Sequence, residues 1–136
     1  MQGYSDPKID RVRDPGTRSV LQKDMSKLKA RQRLRIKEIG VALCEAGHIS
    51  LDEQAKVLGL RRSTTWVVLQ ANHKSTGLTA GLINRILEAP ELPSAVRAKV
   101  LQYAEEKAAS LYGHPERLRQ RFTDRLAVKL APQIAI

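Results

Sequence analysis

Apolar positions recur along most of this chain at intervals of three or four residues, and no stretch keeps the two-residue alternation of a strand. From Lys23 to Ala46 the recurring positions are Leu28, Ile36, Ile39, Leu43 and Ala46, with Gly47 placed as a terminator. Ser50-Leu51-Asp52-Glu53 is a capping box, in which a serine hydroxyl and a glutamate carboxylate satisfy each other's backbone amides. It opens a short helix that runs to about Leu58 and stops at Gly59. A third helix is expected from Arg62 or Ser63 through Gln70, with Leu60 filling the turn. Asn72 to Leu78 reads as a polar loop containing Gly77, and Thr79 caps a fourth helix with Leu82, Ile83, Ile86 and Leu87 inward. Pro93 suits the first turn of a fifth, whose stripe is Val96, Val100, Tyr103 or Ala104, Ala108 and Leu111, closed by Gly113. Pro115 opens a sixth with Leu118, Phe122, Leu126 and Leu130 at four-residue spacing, ended by Pro132.

These patterns predict an all-α fold, a bundle of five to six helices. Residues 1–22 lack apolar periodicity and carry Asp6-Pro7 and Asp14-Pro15-Gly16, so they read as a flexible arm. Residues 23–90 form the expected central domain, and 91–136 supply helices that complete the core, pair with a second copy, or both. At 136 residues with 42% hydrophobic positions a real but modest core is available, built from Leu, Ile, Val and Ala because aromatics are scarce. Cys44, the single cysteine, is expected as a buried free thiol beside Leu43, which fits a reducing cytoplasm. His48, His73 and His114 lack metal-ligand spacing, so no metal is expected.

Charge changes the picture. Twenty-four basic residues against fourteen acidic give +10, which concentrates polyanions around the chain. Half of that excess lies in the first helix, where Lys23, Lys27, Lys29, Arg31, Arg33, Arg35 and Lys37 stand against Asp24 and Glu38. So dense a run of one sign disfavours a helix unless an anion compensates it, and a phosphate backbone is the natural compensation. A membrane is the weaker alternative: no apolar run approaches the length of a bilayer span, and no charged-then-apolar stretch opens the chain.

The segment from Glu53 to Leu69 resembles the helix-turn-helix of bacterial and phage transcription regulators. The positions that carry the resemblance are Ala55 where two helices cross, Gly59 at the turn, Leu60 as its plug, and Thr65 and Val68 on the inner face of the second helix. The run Leu58-Gly59-Leu60-Arg61-Arg62-Ser63-Thr64 is close to one common in such proteins. The resemblance implies double-stranded DNA as partner, with the second helix in the major groove. Arg61, Arg62, Ser63, Thr64, Trp66, Val67 and Gln70 would then face base edges, Arg toward guanine and Gln toward adenine. Lys27, Lys29, Arg31, Arg33, Arg35, Lys37, Lys56 and Lys74 would suit phosphates. Trp66 and Val67 depart from the polar residues usual at those sites, and an apolar pair there suits a covering partner as well as DNA.

Such proteins often bind as homodimers, and Leu118, Phe122, Leu126 and Leu130 are the candidate seam; closing the chain's own core is the other use of that stripe. The expected function is a sequence-specific, cytoplasmic transcription regulator. An anti-activator or adaptor anchored by Trp66 and Val67, and a DNA-processing accessory of excisionase or terminase-small-subunit type, are the other readings. No nucleophile–base arrangement, phosphate-cradling glycine loop or apolar pair of carboxylates argues for an enzyme, and no cofactor is implied.

Overall fold

The computed structural model describes residues 15–70 and 77–130. Among them the chain forms six helices and no strand: α1 (Pro15–Glu45), α2 (Leu51–Leu58), α3 (Arg62–Leu69), α4 (Ala80–Leu87), α5 (Ser94–Ala108) and α6 (Glu116–Arg125). The all-α expectation holds.

α1 starts inside the segment expected to be an arm. Proline has a fixed φ and no N–H to satisfy, which suits the first turn of a helix as well as it suits a break, and here Pro15 begins one. The second half of this helix of 31 residues is built into the core through Ile36, Ile39, Ala42 and Leu43. Cys44 is exposed, a correction to the buried thiol expected. Ala42 and Leu43 take the inward side of α1 here, and Cys44, roughly a further 100° round the helix, falls outside it.

α1 packs along α5, and α2 and α3 pack on one another; α4 touches α2, α5 and α6. The core between them is apolar and nearly closed to solvent: Leu43, Leu58, Ile83, Val96 and Val100 are fully buried. Burying each such side chain is worth roughly 1.5–3 kcal/mol, which is what holds eight-residue helices too short to persist alone.

Two polar clamps fix the chain where it re-enters the core after α3. The Leu78 amide donates to Tyr103 Oη at 2.9 Å, and Tyr103 Oη donates to Gln32 Oε1 at 2.9 Å. Lys107 Nζ donates to the Leu78 carbonyl at 2.7 Å. α5 thus holds both backbone groups of one residue. Gly77 is obligatory beside it: φ is +65°, and a Cβ there would overlap Tyr103 Oη and Gln32 Oε1.

Two helices end earlier than their apolar spacing predicts. α5 stops at Ala108 rather than at Gly113, because Ser110 turns left-handed (φ 67°) and Arg119 Nη1 takes the Ala108 carbonyl at 3.0 Å. Leu111 lies beyond the helix, and Tyr112 takes the buried place instead. α6 stops at Arg125, where Leu126 is extended. Asn84 of α4 grips this exit from both sides, donating to the Arg125 carbonyl at 2.9 Å and accepting from the Ala127 amide at 2.8 Å. The stripe from Leu118 to Leu130 is therefore not one helical seam. Phe122 is buried in the chain's own core, Leu126 and Leu130 pack against that core from outside the helix, and Leu118 is 40% exposed.

Candidate nucleic-acid interface

The geometry of α2 and α3 follows from a few residues. Ser50 Oγ accepts from the Glu53 amide at 3.1 Å, and Glu53 Oε1 accepts from the amides of Ser50 and Ile49, so the start of α2 is closed by its own side chains. Gln54 is buried and donates to the carbonyls of His48 and Ile49, pinning the turn from α1. At the other end Gly59 is left-handed (φ 70°), and the Leu60 amide reaches back to the Ala55 carbonyl at 3.1 Å. The left-handed residue breaks the helix and redirects the chain into α3. A Cβ on Gly59 would stand 3.2 Å from Ala89 Cβ, so the chain just beyond α4 crowds the turn from outside. Ala55 and Leu60 are buried as the spacing predicts.

α3 is anchored by its back. Thr65 is fully buried, with Oγ1 donating to the Arg61 carbonyl at 2.8 Å, and Val68 is 3% exposed. Its front is open. Arg61, Arg62, Ser63, Val67 and Gln70 are exposed, Thr64 is half-buried, and Trp66 keeps 54% of its surface in solvent. Arg61 occupies the cap position without a side-chain cap, and no acidic residue lies in the first turn. The first-turn amides of α3 are therefore not covered by a side-chain cap, and the helix carries no acidic residue of its own at the positive end of its dipole. Arg62 Nε meets Asp52 Oδ1 at 3.1 Å, with both side chains more than two-thirds exposed. Such a pair is worth little and exchanges readily. Arg62, Ser63, Trp66 and Val67 line a shallow hollow together with Leu51 of α2. Of the residues expected to read bases, Arg62, Ser63, Trp66 and Val67 thus share one hollow, while Arg61, Thr64 and Gln70 are not part of its lining.

The expected phosphate contacts divide. Lys27, Arg33, Lys37 and Lys56 are exposed, and Lys37 lines a surface groove with Leu69 at the back end of α3. Lys29 is half-buried. Lys74 lies outside the described residues. Arg31 and Arg35 have carboxylate partners that sequence spacing did not suggest. Both meet Glu106 of α5, Arg31 with Nε and Nη2 at 3.0 and 3.2 Å and Arg35 with Nε at 3.1 Å, while Arg35 Nη1 also meets Glu38 at 3.0 Å. Tyr112 donates to the same carboxylate at 3.1 Å. Burial alone would raise the Glu106 pKa, but the bonds from Arg31, Arg35 and Tyr112 outweigh it and bring it down to about 2. These two arginines hold α1 to α5.

Glu106, Tyr112, Gln32 and Lys107 carry much of the polar structure and stood outside the reading of the sequence. Their contacts span up to 75 positions, and no local pattern announces them. Among the described residues no group of His, Cys, Asp and Glu could hold a metal ion, and no helix is long and apolar enough to cross a membrane. Comparison of the chain with protein-family models, with curated proteins and with solved structures gives no match.

Proposed function

We propose that this chain is a sequence-specific DNA-binding regulator that lays α3 in the major groove. The observation that carries the reading is the two-sidedness of α3: Thr65 and Val68 are locked inside, while Arg61, Arg62 and Ser63 are exposed at a helix start without a side-chain cap and Val67 and Gln70 are exposed further along. A helix front of this kind offers bidentate donors to base edges and amides to a flanking phosphate. Exposed Lys37 and Lys56 supply cations that steer and position without reading sequence. The role carries with it a place in the cytoplasm on the nucleoid. Homodimerisation loses support because Phe122 is used internally, and the length of the protected DNA footprint gives the number of copies bound.

Selection of bound fragments from random duplex DNA is the direct test, and an enriched motif is expected. Arg62→Ala should then cost about 1–3 kcal/mol on that motif and relax preference at one base position. Absence of any enriched motif, or an Arg62→Ala protein that discriminates as the parent does, removes the reading. A second reading is favoured by Trp66 and Val67, 54% and 48% exposed, which with Leu51 make an apolar hollow suited to a protein partner. Under that reading Trp66→Ala abolishes partner capture and leaves DNA affinity untouched.

A further inference from the structure

One side of α1 carries a ridge that the chain's own core does not use. Lys27, Ala30, Leu34, Lys37, Val41 and Cys44 follow one another at alternating intervals of three and four residues, and all six are exposed, Leu34 at 51% and Val41 at 54%. That spacing keeps side chains on one slowly winding line, here about 25 Å long, and is the spacing by which helices pack lengthwise on each other. The core takes a different line of the same helix, Gln32, Ile36, Ile39 and Leu43. Gly40 lies beside the ridge. Glycine inside a helix is unfavourable, yet an added Cβ here would meet nothing within 4 Å, so the chain's own packing does not require it. Lys37, Gly40, Val41 and Cys44 stand at i, i+3, i+4 and i+7, the four corners of a hole that takes a knob from a facing helix. With Gln54 and Leu69 they line a groove of about 580 Å³.

Charge narrows what the ridge fits. Arg31 and Arg35 are occupied by Glu106, whereas Lys27, Arg33 and Lys37 meet no carboxylate among the described residues. One carboxylate, Glu45, lines the groove where α1 ends. A second copy of the ridge would bring three more cations for one more carboxylate. A phosphate backbone would meet the cations and leave Ala30, Leu34 and Val41 bare. An apolar helix face flanked by carboxylates meets both needs.

We propose that this ridge docks an acidic amphipathic helix of a partner protein, with an apolar side chain seated over Gly40 and carboxylates against Arg33 and Lys37. The surface uses none of the residues at the front of α3 and does not depend on α3 reading DNA. A helix seated there covers Lys37 and keeps it from a phosphate backbone. Cys44, exposed and the chain's only cysteine, reports on the ridge directly. Its alkylation by N-ethylmaleimide is followed on the full chain with a synthetic helix of three heptads, leucine along its seam and glutamate on both flanks. Excess peptide should slow alkylation at least fivefold. A shuffled peptide of the same composition, and one with lysine in place of glutamate, should change the rate less than twofold.

Two variants locate the contact. Gly40→Gln should abolish the protection by filling the hole, and it keeps the fold, since the added side chain starts in open space. Arg33→Glu with Lys37→Glu, both at exposed positions, should exchange the preference, so that the lysine peptide protects Cys44 and the glutamate peptide does not. Helical circular dichroism equal to the parent's confirms that both variants fold. The proposal falls if the acidic peptide leaves the alkylation rate unchanged, if the shuffled peptide slows it equally, or if folded Gly40→Gln protein is protected as the parent is. Protection that rises with protein concentration alone would give the ridge to a second copy. Protection by random duplex DNA that Gly40→Gln removes would give it to nucleic acid, and either result overturns the proposal.

Discussion

The seam between α1 and α5 and the front of α3 are both rich in polar side chains, yet they use them in opposite ways. Along the seam every group described has a partner in the chain: Glu106 gathers Arg31, Arg35 and Tyr112, and Tyr103 joins Gln32 to the Leu78 amide. At the start of α3, Arg61 and Arg62 face solvent, with one exposed ion pair between Arg62 and Asp52. The sequence makes the α1 run look like the stronger anion-binding feature, since more positive charge crowds there. Placement reverses part of that order. A cation whose charge is met inside the fold holds helices together; one left outside is available to a partner.

Three substitutions sharpen the contrast. The largest effect is expected from Gly77→Ala, which forces a Cβ into the Tyr103–Gln32 bond at a left-handed residue and costs at least about 3 kcal/mol. Urea unfolding measures it, and a loss below about 1 kcal/mol would mean that the clamp is not rigid.

Glu106→Gln comes next, with a loss on the order of 2 kcal/mol at neutral pH, because the partly buried Arg35 guanidinium and the exposed Arg31 one lose their shared, largely buried anion. Its pH signature is specific. The folded carboxylate titrates near 2 instead of 4.5, so its contribution is fully present above 4.5 and disappears as the pH falls toward 2. The stability gap between parent and variant should therefore close across that window. A gap constant with pH would show that the carboxylate charge is not what matters.

The smallest effect belongs to Arg62→Ala. Stability should change by no more than about 0.5 kcal/mol, since the Asp52 pair is open to water, even as the DNA preference proposed for α3 relaxes. A large loss of stability would place Arg62 with the seam arginines instead.

What could be read in the sequence was local. Ser50 and Glu53, Gly59, and Thr79 each act within four residues of themselves, and their caps and turn appear where the spacing puts them. Thr65 and Val68 were placed inward by the helix-turn-helix resemblance, at fixed distances from Ala55 along the chain, and both are buried. The failures are long-range. Tyr103 was legible as an apolar stripe position but its hydroxyl contacts were not, because Gln32 is 71 residues away. Arg31 and Arg35 were visible as charges, while the carboxylate they share sits on another helix. Pro15 failed for a different reason, since one residue type serves both to break and to begin a helix.

The double grip of Asn84 has a consequence for the end of the chain. Its amide mimics a neighbouring peptide group, offering one donor and one acceptor to backbone that would otherwise complete another helical turn. The local pattern after Arg125 still favours continued coiling, for Leu126 and Leu130 keep step with Leu118 and Phe122. In the fold the exit is extended instead, and a single side chain on a distant element is the arbiter that holds it so. Removing that arbiter would release the latent ridge of four apolar residues in one unbroken line.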